Sequence, residues 1–110
     1  TFLHMAMDIA YHHHERWDGN GYPEGLQQEE IPLAARIVAI ADAYDAITSR
    51  RPYKEPSDHT EAVRRIRIDR GKHFDPVLVD IFLECHERFA EVQQKMMDQT
   101  QEPLTRAAGD

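Results

Sequence analysis

Three histidines in a row, His12-His13-His14, are followed at once by Glu15 and then by Arg16-Trp17-Asp18-Gly19-Asn20-Gly21-Tyr22-Pro23. Imidazoles and carboxylates this dense are the raw material of a metal centre. Consecutive helical residues point about 100° apart, at about 3.6 residues per turn. Adjacent histidines therefore do not readily chelate one ion, but they suit two neighbouring ions. Two ions about 3.5–4 Å apart form a phosphoryl-transfer device that activates water and clamps phosphate oxygens. The plainer alternatives are a chance histidine run or a purification-tag remnant, and a run of three embedded between Tyr11 and Glu15 makes a poor tag.

Two further groups could carry chemistry. Asp42 and Asp45 lie in the most apolar helical stretch of the chain. A carboxylate on a buried helix needs an ion-pair partner or a metal, and position alone favours neither. Arg50-Arg51-Pro52-Tyr53-Lys54 concentrates cations in an acidic chain. Arg and Lys on a proline-stiffened loop could grip phosphate. Taken alone, this loop reads better as a solvated surface turn. Cys85, the one cysteine, sits in Ile81-Phe82-Leu83-Glu84-Cys85-His86 and reads as a small core residue rather than a nucleophile or ligand.

The elements that must position these residues are helices. The first, over residues 1 to 15, carries a stripe of Leu3, Met7, Ala10 and His14. Residues Trp17 to Glu30 hold Gly19, Gly21, Pro23 and Gly25 and form an ordered loop. Pro32 opens the second helix at its first position, and that helix runs to about Thr48 with Ile37, Ile40, Ala41, Tyr44 and Ile47 as its buried face. A loop from Ser49 to Asp58 follows. Ser57 or Asp58 caps a third helix, about His59 to Asp69, which Gly71 ends. Asp75-Pro76 starts a fourth, through roughly Met97, burying Val79, Phe82, Leu83, His86 and Phe89. Residues 98–110 are polar, contain Pro103 and Gly109, and are expected to fray as a disordered tail. The expected fold class is all-α, with residues 1–97 as one unit.

Bulk properties narrow the function classes. At 110 residues the chain is one small domain, 41% hydrophobic and 30% charged. A net charge of −7 excludes a non-specific nucleic-acid binder, which needs a basic face, but not a phosphate ligand held by local cations or metal ions. No apolar run reaches the roughly 18 residues of a membrane helix. A lone cysteine and no visible signal peptide point to a cytoplasmic setting.

Taken together, the blocks resemble the HD-GYP domain, a subgroup of the HD phosphohydrolases. They are His13-His14-Glu15-x-x-Asp18-Gly19-x-Gly21-Tyr22-Pro23, Gly25-Leu26, Ile31-Pro32-Leu33-Ala34-x-Arg36-Ile37, Ala41-Asp42-x-x-Asp45-Ala46, Arg51-Pro52-Tyr53-Lys54 and His73-Phe74-Asp75-Pro76. The resemblance covers about residues 3 to 90. It implies an HD-type helical bundle that hydrolyses cyclic di-GMP to pGpG or GMP in bacterial signalling, with two or three divalent metal ions, iron or manganese. It puts metal ligands at His13, His14 and Asp42, and phosphate-holding residues at Arg51 and Lys54. Gly21, Tyr22 and Pro23 become the signature loop beside the substrate, also implicated in contact with GGDEF-type diguanylate cyclases. Glu15, Asp18, Arg36 and Asp45 become structural support, Asp18 bracing the loop and Asp45 orienting Arg36 or loop amides. The implied chemistry is attack by an activated water on phosphorus in line with the leaving ribose oxygen, with the ions neutralising charge.

One departure is large. The family is named for a His-Asp pair ahead of the histidine pair, and no His-Asp dipeptide occurs in these residues. The expectation is an incomplete bundle whose first helices, and roughly half its metal ligands, lie outside the chain. Such a piece binds metal weakly, hydrolyses cyclic di-GMP poorly or not at all, and covers its bared apolar surface as a homodimer or helix-swapped assembly. The competing readings are a non-catalytic module that senses the nucleotide or docks a GGDEF partner, and an HD hydrolase acting on another phosphoester.

Overall fold

The computed structural model of the chain describes residues 1–49 and 58–109, with side chains as far as Gln99 except Met97. It contains helices α1 (Phe2–His12), α2 (Leu33–Thr48), α3 (His59–Ile68) and α4 (Pro76–Gly109), and a 3₁₀ turn at Gln28–Glu30. No strand occurs among the described residues, where one isolated bridge joins Arg70 and Phe74. The all-α expectation holds.

Local chemistry sets the helix ends. Thr1 Oγ1 accepts from His4 N at 3.3 Å and starts α1. Pro32 stands at the N-cap of α2 with φ −54°, one residue earlier than expected. Of the two candidate caps for α3, Asp58 is the one used: its Oδ1 accepts from Glu61 N at 2.9 Å. Gly71 turns the chain out of α3 with φ +76°, and its N–H donates to Phe74 O at 2.8 Å. Asp75 caps α4 by accepting from Val77 N at 2.9 Å. That helix runs on to Gly109, past the end near Met97 that polar composition suggests. Gln, Glu, Leu, Arg and Ala, which fill most of that stretch, are all good helix formers, and polarity alone does not stop a helix.

The core lies where α2, α3 and α4 meet. Ala39, Ile40, Tyr44 and Ile47 of α2 pack with Ala62, Val63 and Ile66 of α3, Phe74, and Val79 and Phe82 of α4. Ile66 and Val79 are fully buried, and burial of each contributes about 1.5–3 kcal/mol. On α4, Val79 and Phe82 are buried as expected, while Leu83, His86 and Phe89 are half-buried. Cys85 is half-buried and lines an apolar groove of about 300 Å³ between α2 and α4.

One expected face is corrected. Ile37, 50% exposed, and Ala41, also exposed, line open grooves between α2 and α4, and the buried residues of α2 are Ala35, Ala39, Ile40, Tyr44 and Ile47. Helix α1 packs on α2 yet buries none of its residues; Leu3, Met7 and Ala10 of its stripe are exposed, as is His14 past the helix end. Periodicity groups residues onto a face without saying what covers it.

Candidate metal-centre region

The end of α1 presents the histidines. His13 Nδ1 lies 2.8 Å from Ile9 O. A carbonyl oxygen only accepts, so Nδ1 carries a proton, and in the neutral ring Nε2 keeps its lone pair. A ring nitrogen tied to a backbone carbonyl is the usual arrangement of a metal-ligating histidine. The His14 ring sits beside that of His13, centroids 4.0 Å apart, and stacks on Tyr22 at 4.9 Å with planes 18° apart.

Glu15, 2% exposed, holds the following loop from inside. Its Oε1 accepts from Leu26 N at 3.0 Å and its Oε2 from Glu24 N at 3.1 Å. His12 Nδ1 approaches Oε2 at 3.2 Å. Burial alone would push this carboxyl up, but the Glu24 amide, the His12 ring and the Leu26 and Gly25 amides together hold it below the ordinary range. His12, Glu15 and Glu24 bring their donor atoms within 4.8 Å of one another, a group able to hold a cation. Sequence reasoning gave Glu24 no role, and placed His12 in the histidine cluster without assigning it as a ligand.

The signature loop closes tightly on the same residues. Tyr22 N donates to His14 O at 3.3 Å. A Cβ on Gly21 would stand 2.5 Å from both Arg16 N and His14 O, so only glycine fits there. Asp18 accepts from Arg16 Nε and NH2 at 3.2 and 3.1 Å and from Asn20 N at 3.0 Å. The Arg16 guanidinium and the Asn20 amide hold its carboxyl below the ordinary value. Trp17 N and Asp18 N donate to His73 O and Lys72 O, which ties this loop to the turn before α4. Tyr22 is 61% exposed and Pro23 is exposed beside it.

Arg36 anchors the far end of the loop. Its Nε donates to Ile31 O at 2.9 Å and its NH1 to Asp75 Oδ2 at 2.7 Å. Asp75 thus caps α4 with one oxygen and pairs Arg36 with the other. Asp45 was expected to orient Arg36 or loop amides. It stands nine residues along the same helix from Arg36, about 13 Å of rise, while Arg36 pairs Asp75; Asp45 accepts from Ser49 Oγ at 2.6 Å. Asp42 is exposed, so the argument from a buried carboxylate does not apply to it. Among the described residues Asp42 does not join His13 and His14 in a three-donor group within 4.8 Å. Arg51 and Lys54 lie outside the described residues.

Comparison with known proteins agrees with this layout. The family model described as the HD domain matches residues 1–78. A probable cyclic di-GMP phosphodiesterase of Vibrio cholerae is 50% identical over 90% of this chain and 22% of its own length. A cyclic di-GMP phosphodiesterase of Thermotoga maritima is 45% identical over 88% of this chain and 26% of its own. A 3'3'-cGAMP-specific phosphodiesterase of Vibrio cholerae is 40% identical over 87% and 18%. The chain therefore spans about a fifth to a quarter of the length of these curated relatives. HD domains are a metal-dependent family, consistent with the donors gathered at the end of α1. With the domain match and the signature blocks from His13 to Pro76, the chain belongs to the HD domain family, within its HD-GYP group.

Proposed function

We propose that the chain supplies the histidine pair, the signature loop and the phosphate-holding segment of a phosphodiesterase that opens cyclic di-GMP to pGpG or GMP. The observation that carries this reading is His13, its Nδ1 fixed by Ile9 O and its Nε2 left as a donor, next to His14 stacked on the signature Tyr22. His13 and His14, with Asp42, would hold two or three divalent ions, iron or manganese. Bound there, the ions supply Lewis-acid charge and a water made nucleophilic at neutral pH.

The chain's own residues do the positioning. The Ile9 carbonyl keeps the His13 ring in one tautomer and orientation. Glu15 and Gly21 fix the loop so that the exposed Tyr22 ring stands beside His14, a flat face at the substrate. Arg51 and Lys54 hold the second phosphate and so reduce the entropy lost on reaching the reactive geometry. The loop's exposed Tyr22 and Pro23 also suit contact with a GGDEF partner, and the bared apolar residues of α1 suit a homodimer.

Relatives named for cyclic di-GMP and for 3'3'-cGAMP both align with this chain, so the test uses both nucleotides. Joined to a segment that supplies the family's His-Asp pair and loaded with manganese or iron, the chain should yield linear product by chromatography. His13→Ala and His14→Ala should each cut kcat by about 100-fold or more, the scale of losing a charge-stabilising contact. Three donors do not fill two ions, so the 110-residue chain alone should turn over weakly. Failure of that joined protein to cleave either nucleotide with either metal contradicts the proposal, and nucleotide binding without cleavage would favour the sensing module.

A further inference from the structure

Away from the metal-centre region, three polar side chains from three helices meet among aromatic rings. Tyr44 of α2 places its hydroxyl 2.8 Å from His59 Nδ1 at the first turn of α3. His59 Nε2 lies 2.9 Å from His86 Nδ1 on α4. The two imidazoles are 5.1 Å apart, centre to centre, and both are half-buried. Tyr44 meets the His59 ring edge-on, and Phe82 flanks His86.

Proton counting constrains this chain. With both histidines neutral, the Tyr44 hydroxyl donates to His59 Nδ1, His59 Nε2–H donates to His86 Nδ1, and every site is satisfied. One added proton is accommodated by reversing the direction: His86 Nδ1–H donates to His59 Nε2, and His59 Nδ1–H donates to the tyrosine oxygen. A second proton has no such arrangement. It sets N–H against N–H across 2.9 Å and places two cations side by side.

We propose that Tyr44, His59 and His86 form a proton-limited joint between α2, α3 and α4, which accepts one proton and opens on taking up the second. The charged neighbours fit that role without cancelling it. Burial, and then the His86 charge, hold His59 below its ordinary value, while Glu87 of α4 and Asp58 at the cap of α3 pull the other way. From α2 the group facing His59 is the neutral Tyr44 hydroxyl, itself kept protonated by burial, and Asp45 and Arg88 line the adjoining groove with Tyr44. A histidine depressed in the folded state stabilises the fold fully above its unfolded value, about 6.5. That stability is lost as pH falls through the lowered value.

The test is a ¹H–¹³C NMR titration of the histidine rings in the 110-residue chain from pH 8 to 4, with amide exchange of α3 read at each point. The expected result is a coupled titration of His59 and His86 in two steps at least about one pH unit apart, with α3 exchange accelerating alongside the second step. His86→Gln offers His59 Nε2–H a neutral acceptor, so His59 should then titrate in one step at higher pH, and the acid acceleration of α3 should vanish. Tyr44→Phe keeps the ring and the histidine pair, so if His86→Gln does not fold the two-step coupling should still be read there. One-step, independent titration of both histidines overturns the proposal, as does an unmoved His59 curve in folded His86→Gln.

Discussion

Helix α1 is regular, yet it buries none of its residues, and Phe2, Leu3, Met5, Met7 and Tyr11 are half or more exposed. The stretch that follows it, residues 15–31, is mostly irregular and is fastened throughout. Glu15 holds two amides from inside, Gly21 sits against the backbone of His14 and Arg16, and Arg36 takes Ile31 O. Regular secondary structure is therefore no measure of how firmly a segment is held. The precision that a phosphate-handling site needs comes from buried polar groups with every partner in place.

That contrast can be broken by mutation. Glu15→Ala strands the Glu24 and Leu26 amides in a buried site, at about 1–3 kcal/mol for each unsatisfied donor, and should lower the urea midpoint the most. Gly21→Ala drives a methyl into backbone atoms 2.5 Å away and should cost about 1–3 kcal/mol, with loss of the His14–Tyr22 stacking visible as shifted ring resonances. Met7→Ala, on the exposed helix, should fall within about 0.5 kcal/mol of the parent chain in the same experiment. A large loss at Met7, or none at Glu15, would reverse the assignment of which region is held.

Features decided within a few residues were legible from sequence. The Asp58 and Asp75 caps, the Gly71 turn and the glycine-rich loop all follow from local backbone chemistry. Features decided by long-range packing were not. The Arg36–Asp75 pair joins residues far apart in the chain, which no local spacing singles out. The exposure of α1 and of Ile37 and Ala41 follows from what packs against each helix, which spacing does not encode. Within the candidate site, the histidine pair and Gly21 stood out by type and spacing, whereas the approach of Glu24 to His12 and Glu15 depends on the loop's path.

The central claim is that the end of α1 offers metal donors from His13 and His14. Adding Mn²⁺ to the chain and following the histidine ring resonances tests it directly, because a bound paramagnetic ion broadens the signals of its nearest rings. The account predicts that His13 and His14 broaden first, with His59 and His86 sharp at the same manganese concentration. Unchanged His13 and His14 signals, or broadening that begins at His59 and His86, would contradict it.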